Sequence, residues 1–423
     1  MTSLEQVAAL VDDAKGRLAG NAQLTPLQPS VRLSQLSGAN VLLKREDLQP
    51  VRSYKLRGAF NLMSQLDDAE RSSGVVCASA GNHGQGVAWS CAKLGIDGHV
   101  VVPTTTPRQK RDRIIALGAG RVKLVVTGEN YDAAARAAAE LAATTGATLV
   151  PAFDDPRTLA GQGTIAAEIV TQLGGHAPDV IVIPVGGGGL LSGAGGWLRT
   201  NYPATRIVAV EPRGAAGIAA GLAAGEPVTL EKIDTFVDGA AVRRAGDVTL
   251  PIIKAIAPEM LAVPEGQICS EMLAMYQVDG VIAEPAGALA SSVLRRGPND
   301  VQLEVSPGQT VVVVVSGGNN DITRYAEVSE RSLIHEGRKH YFLVTFPQEP
   351  GALRRFLDEV LGPEDDIVLF EYTKKSNRDT GPALVGLELG DPAGYDALLQ
   401  RIADSRLEVE VVPPESYLYR YLV

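Results

Sequence analysis

The sequence predicts an α/β protein with a mainly parallel, doubly covered sheet, followed by a smaller α+β domain. Three observations carry that expectation. Short β-branched runs alternate with longer helical patterns from about residue 40 to 320, which implies βαβ units. Beyond about residue 338 the order becomes β-α-β-β-α-β, the ferredoxin-like pattern. Apolar residues make up 45 % and charged residues 21 % of the 423, close to globular usage, so neither a disordered tail protein nor a coiled coil fits.

The elements follow in chain order. Residues 1–20 mix acids among apolar positions at helical spacing, which reads as an amphipathic helix rather than a secretory signal. VLLK, VVCAS, HVVVP, VKLVV, TLVPAF, VIVIPV, RIVAVE and TVVVVVS are the predicted strands. Arg108 to Leu117 forms a predicted helix stopped by Gly118. Asn130 as N-cap and Gly146 as stop bracket another. Val180 to Leu198 carries no charge and is long enough to raise the transmembrane question. Its seven glycines and one proline identify it instead as a buried strand feeding a helix. The charge-rich stretch Arg324 to Lys339 reads as an exposed linker. The expected domains are therefore 1–325, a linker at 326–337, and 338–423.

Composition also excludes functions. The net charge of −10, from 39 basic against 49 acidic residues, and the lack of any basic block argue against nucleic-acid binding. No targeting or membrane segment is expected. Cys77, Cys91 and Cys269 are far apart with no C-x-x-C spacing, so no zinc site is predicted and a reducing cytoplasm is the simplest setting.

Four segments carry chemistry. The first is Arg52-Ser53-Tyr54-Lys55-Leu56-Arg57-Gly58-Ala59. A lone lysine is usually a solvated charge. An amine with a lowered pKa suits a Schiff base to a carbonyl cofactor, and Arg57 beside Lys55 would act in that direction. The second, Ser79-Ala80-Gly81-Asn82-His83-Gly84-Gln85-Gly86, lies between a strand and an apolar helix. Backbone N–H groups at that helix start suit a carboxylate, although a plain turn capped by Ser79 or Asn82 has the same sequence. His83 alone reads as a packing residue. The third, Gly186-Gly187-Gly188-Gly189-Leu190, exposes consecutive donors to a single phosphate. It has neither Walker nor G-x-G-x-x-G spacing. The fourth is Ser316-Gly317-Gly318-Asn319-Asn320. All four lie at or beside the carboxyl ends of strands, where ligands of open parallel sheets collect.

In that order, S-Y-K-x-R-G-A, S-A-G-N-H-G-Q-G, G-G-G-G-L and S-G-G-N resemble the fold-type II (tryptophan synthase β-like) pyridoxal-phosphate enzymes. The wording is most similar to the biosynthetic threonine dehydratase (threonine ammonia-lyase) branch, over about residues 5 to 325. The resemblance implies two α/β subdomains, the smaller inserted at about Leu43 to Ala152. It implies that Lys55 is the catalytic, cofactor-bearing lysine and that Asn82 bonds the cofactor's 3-hydroxyl. Gly186, Gly187, Gly188, Gly189 and Leu190 would hold its phosphate, and Ser316 its ring nitrogen. Ser79, Ala80, Gly81, Asn82 and His83 would bind the substrate carboxylate. Tyr54 stands where many relatives carry Phe.

The implied activity is deamination of L-threonine, and of L-serine, to the keto acid and ammonia in isoleucine biosynthesis. Some relatives bind a divalent metal through two acids; here Glu211 is present but Gly217 takes the second position, so no metal is predicted. Glu284 also matches the family, and a helix-start carboxylate explains it equally well. The tail from 338 resembles one ACT-like regulatory domain, with Glu349-Pro350-Gly351-Ala352-Leu353 its most recognisable stretch. That implies an isoleucine effector, and fold relatives imply a homotetramer. Serine racemase, threonine synthase and β-replacement synthase chemistry, or a non-catalytic amino-acid sensor, remain the competing readings.

Overall fold

In a computed structural model, residues 2–372, 379–405, 407–413 and 416–422 are described. The strands in chain order are β1 (Leu27–Pro29), β2 (Asn40–Arg45), β3 (Val75–Ala78), β4 (Gly98–Val102), β5 (Val122–Val126), β6 (Thr148–Leu149), β7 (Val180–Pro184), β8 (Arg206–Pro212), β9 (Glu259–Val263), β10 (Thr310–Val315), β11 (Lys339–Pro347), β12 (Asp366–Tyr372), β13 (Thr380–Glu388) and β14 (Glu408–Val411). All eight predicted runs contribute strands. Two further strands were not predicted: β1 has only three residues, and β9, Glu-Met-Leu-Ala-Val, lacks the β-branched run that marks the others.

The chain divides into two compact units: Met1–Glu265 with Ala274–Arg296 and Asp300–Asp321, and Gly266–Leu273 with Gly297–Asn299 and Ile322–Val423. The first unit holds two sheets. A six-stranded sheet of order β1-β2-β10-β7-β8-β9 is parallel except for β1. Every residue of β7 is buried, because helices cover both faces. A four-stranded parallel sheet of order β5-β4-β3-β6 is inserted between β2 and β7. The predicted start of that insertion, Leu43, falls inside β2. Because β2 pairs with β10 through Arg45, the chain leaves the large sheet only after that residue.

The second unit contains β11 to β14 in one antiparallel sheet of order β12-β13-β11-β14. Helices Ala352–Glu359 and Tyr395–Asp404 cross one face, giving the ferredoxin-like topology; Phe342, Val344, Phe346, Phe356 and Leu398 form its core. The predicted linker is instead largely a helix, Tyr325–His335. Its apolar stripe is narrow: Val328 and Ser332, four residues apart, are its buried positions, so charge masks the periodicity.

Local signals act where the sequence places them, with one exception. The Asn130 side chain accepts from the Ala133 N–H, and Gly146 closes that helix at φ 73°. By contrast, Gly118 remains helical and Ala119 takes the left-handed turn at φ 46°. A Cβ on Gly118 would lie 2.8 Å from Val122 Cβ, so close packing, not the stop, requires that glycine. Ala119→Gly should raise unfolding stability by about 1 kcal/mol, since a left-handed alanine is strained by roughly that amount. Denaturant midpoints would measure it.

Candidate active site

The site grows from the five residues that lead out of β6. Val150 accepts a hydrogen bond at its carbonyl from His83 Nε2 at 2.8 Å, and the Ala152 carbonyl accepts from Lys55 Nζ at 3.1 Å. The Phe153 ring comes within 2.4 Å of where a Cβ on Gly187 would sit. Asp154 accepts from the backbone N–H groups of Asp247, Val248 and Thr249 at 2.8 to 3.2 Å. One short segment therefore brings together the lysine, the Ser79–His83 loop and the glycine run.

Lys55 opens the helix Lys55–Met63, whose other residues are all buried. The helix Asn82–Leu94 crosses its first turn so closely that a Cβ on Gly86 would lie 3.1 Å from the Lys55 carbonyl. Arg57 does not serve the Lys55 amine as expected. Positions i and i+2 of a helix face different ways. The Arg57 guanidinium is instead bidentate to Glu46, at 2.8 Å twice, and bonds Glu168 at 2.6 and 2.8 Å. Lys44 completes this cluster through Glu168, Gln172 and the Thr25 carbonyl. Burial alone would raise Glu46, but the charge and hydrogen bonds of Arg57 outweigh it and hold the carboxyl below its usual range.

The backbone entering Lys55 is fixed by the Ser316 loop. Arg52 adopts φ 55°, and its carbonyl accepts from the Gly318 N–H at 2.9 Å. The Tyr54 N–H bonds the Ser316 carbonyl at 3.2 Å, and Ser53 bridges Gly317. The Ser316 hydroxyl is buried and donates to the Ala286 carbonyl at 3.0 Å.

In the Ser79–His83 loop, no side chain caps the helix that starts at Asn82. The Ser79 hydroxyl instead accepts from the Gly81 N–H within the turn. Ala80 packs on the small-subdomain core. Asn82 Nδ2 lies 2.5 Å from Glu284 Oε1, and its Oδ1 accepts from Asn319 Nδ2 at 2.7 Å. Burial, then the Asp238 charge, pushes Glu284 up to about 7 against the hydrogen bond from Asn82. His83 is buried with Nδ1 unpartnered. Since Nε2 must carry the proton that Val150 accepts, Nδ1 is a bare acceptor. Burial, helped by Lys55, pulls this histidine down to about 4.

The glycine run follows β7 and enters a helical turn, so its N–H groups gather at a helix start. Gly188 is left-handed at φ 90°. Cβ atoms on Gly186 and Gly189 would meet Ala240 at 3.0 Å and Phe153 at 2.9 Å. Leu190 is buried. Glu211 accepts from the Ile218 and Ala219 N–H groups at 2.8 and 2.9 Å.

An amine, a side-chain-free cup for a phosphate, a hydroxyl and an amide fit a phosphorylated aromatic aldehyde. Sequence reasoning missed Phe153, Asp154 and Glu168, and named Asn319 only as part of the Ser316 segment, with no role of its own. Only the Asp155-Pro156 helix start marked that neighbourhood.

A concavity of about 550 Å³ lies within the C-terminal unit. Phe346, Glu349, Leu353, Leu357, Phe370 and Tyr372 are among its lining residues.

These features define a class, and comparison with known proteins agrees. The model of the family described as "Pyridoxal-phosphate dependent enzyme" matches residues 19–317. "C-terminal regulatory domain of Threonine dehydratase" matches 330–422. The chain is 56 % identical over 415 residues to the L-threonine dehydratase biosynthetic IlvA of Mycobacterium tuberculosis, covering 98 % of this chain and 95 % of that one. It is 49 % identical over 399 residues to the Bacillus subtilis protein of the same name, covering 94 % and 93 %. The solved structure of threonine deaminase isoform 2 from Solanum lycopersicum superposes with a TM-score of 0.71 at 35 % identity, over 78 % of this chain and 88 % of that one. The chain belongs to the biosynthetic threonine dehydratases, a branch of the pyridoxal-phosphate enzymes.

His83 generates a pH dependence. Its folded pKa of about 4 lies below the ordinary 6.5, so the unfolded chain takes up its proton first as pH falls. The stability this group contributes is complete above pH 6.5 and is lost progressively toward pH 4, by about 3 kcal/mol. Denaturant unfolding across that range should show a shallower acid-side slope in His83→Gln.

Proposed function

We propose that the chain deaminates L-threonine, and L-serine as a second substrate, to the corresponding 2-oxo acid and ammonia, with pyridoxal 5'-phosphate as cofactor. The carrying observation is the Lys55 amine on the Ala152 carbonyl, one residue from the ring that packs over Gly187. Lys55 would hold the cofactor, Gly186 to Leu190 its phosphate, Asn82 its ring oxygen and Ser316 its ring nitrogen. Bound pyridoxal phosphate supplies an electron sink next to the amino acid's α-carbon.

The protein residues do the rest. The Ser79–His83 loop receives the substrate carboxylate at an uncapped helix start, orienting the α-proton. The Lys55 amine, on a helix locked by the Arg57 cluster, removes that proton as general base. Ser316 would turn its O–H from the Ala286 carbonyl to the ring nitrogen. Unlike a carboxylate, a neutral hydroxyl would not hold that nitrogen protonated, which would favour early elimination of the β-hydroxyl. His83, neutral and buried, neither donates to the leaving group nor repels the lysine. Lys55→Ala should lose threonine turnover by at least ~10³-fold, as expected when a general base and covalent anchor are both removed, together with the visible absorption of bound cofactor. A keto-acid assay and a spectrum test both. Turnover persisting in the variant would reject the assignment.

The C-terminal unit is proposed to bind isoleucine and to make the activity feedback-sensitive within a homotetramer. The match to a regulatory domain and the partly apolar groove beside Glu349 to Leu353 support this. Leu357, 41 % exposed on that groove, lies outside the catalytic unit. Leu357→Glu should keep basal activity within about twofold, as for most exposed substitutions, and remove the isoleucine-dependent shift of the threonine saturation curve. A wild-type curve and melting temperature indifferent to isoleucine would refute the regulatory role. The proposed setting is the cytoplasm: all three cysteines are free and buried, and no helix among the described residues is long and apolar enough to cross a membrane.

A further inference from the structure

Glu284 stands at the N-cap of the helix Pro285–Ser292, where a carboxylate ordinarily accepts from the helix's own first N–H groups. Its side chain makes no such bond. It turns away from the helix, 4 % exposed, to meet Asn82 Nδ2 at 2.5 Å, and it also accepts from the Asn319 backbone N–H. Space is made for it: a Cβ on Gly317 would lie 2.2 Å from Glu284 Oε1 and 3.2 Å from Asn82 Nδ2.

The amide of Asn82 is clasped from the other side by Asn319. Asn319 Nδ2 donates to the Val51 carbonyl at 2.8 Å, a group that can only accept, so the identity of that nitrogen is fixed. It also donates to Asn82 Oδ1 at 2.7 Å. The carbonyl of Asn82 is therefore committed to Asn319 and one amide hydrogen to Glu284. The remaining hydrogen on Nδ2 is the donor Asn82 has left to offer. Without an acceptor at position 284, the amide loses one of the two contacts that set its rotation.

We propose that Glu284 is a positioning residue: with Asn319 it orients the Asn82 amide so that an N–H, not the carbonyl, is presented to the ring oxygen of the cofactor. This rests on the assignment of Lys55 and Asn82 to the pyridoxal-phosphate site. The helix-start role that the sequence allowed is replaced by one directed at Asn82. Asn82 lies on the first turn of the helix Asn82–Leu94 in the inserted subdomain, whereas Asn319 lies in the large-sheet loop after β10 and Glu284 at the start of the helix Pro285–Ser292. The orientation of the amide therefore also joins the two subdomains at the cofactor.

The test is a double-mutant cycle on the full-length protein with Asn82→Ala, Glu284→Leu, which leaves no acceptor at that position, and the double variant. It reads the dissociation constant of pyridoxal 5'-phosphate and the wavelength of its bound visible band. Glu284→Leu alone should weaken cofactor binding about tenfold, the size of one hydrogen bond to a charged group, and should shift the band. In the Asn82→Ala background the same change should have no further effect on either readout, because the residue acts through Asn82. Additive effects, or a Glu284→Leu protein whose affinity and band match the wild type, would overturn the proposal. Melting temperatures of the four proteins separate misfolding from misorientation. Should Glu284→Leu fail to fold, Asn319→Ser removes the opposite arm of the clasp and must produce the same band shift. An unaltered band there also overturns the idea. Absence of any visible band in the wild-type protein mixed with cofactor would instead reject the underlying site assignment.

Discussion

The site depends on the return of the chain from the inserted sheet to the large one, at Val150 to Asp154. Each residue with a part there holds a different piece: the Val150 carbonyl takes the histidine, the Ala152 carbonyl the lysine, the Phe153 ring the space over the glycines, and the Asp154 carboxylate three N–H groups at a helix start. Backbone carbonyls suit the first two tasks because their positions follow from the strand and not from a rotamer. β6 is only two residues long, yet its pairing with β3 sets where these carbonyls point. The glycines are needed because a phenyl ring already occupies the space a side chain would fill.

Behind the lysine stands a cluster of buried charge. Arg57, Glu46 and Lys44 are fully buried, and Glu168 is partly so, its side chain 21 % exposed. Taking such groups from water is costly, and replacement by apolar residues is often neutral or stabilising. Its use here is geometric. Bidentate contacts fix the roll of the Lys55 helix against the helix Pro156–Gln172. Gly58 and Gly161 let the two backbones approach: a Cβ on Gly161 would lie 2.4 Å from the Arg57 carbonyl. Removing one partner would leave an uncompensated charge, a loss of about 3 to 5 kcal/mol, and would release the helix that carries the amine.

Much of this was legible in the sequence, and the reasons are physical. Parallel strands buried on both faces produce unbroken Val/Ile runs, so β7 and β10 could be read directly. Ligand segments must follow such strands, so Ser79, Gly186 and Ser316 were found by position as much as by residue type. What escaped shares one property: its meaning lies in contacts between residues far apart in the chain. Arg57 looked like a neighbour of Lys55 because the two are close in sequence, while helix geometry sends them apart. Glu284 looked like a cap because it precedes a helix; only the fold shows Asn82, 202 positions away, as its partner. The helix Tyr325–His335 escaped for the opposite reason, its charges outnumbering its two buried positions.

The central claim is that the Lys55 amine is the point at which the cofactor joins the protein. Borohydride reduction of the cofactor-loaded protein, followed by peptide mass spectrometry, tests it most directly. The account predicts a pyridoxyl-phosphate adduct on the peptide containing Lys55 and on no other lysine. An adduct on a different lysine, with Lys55 unmodified, would contradict it.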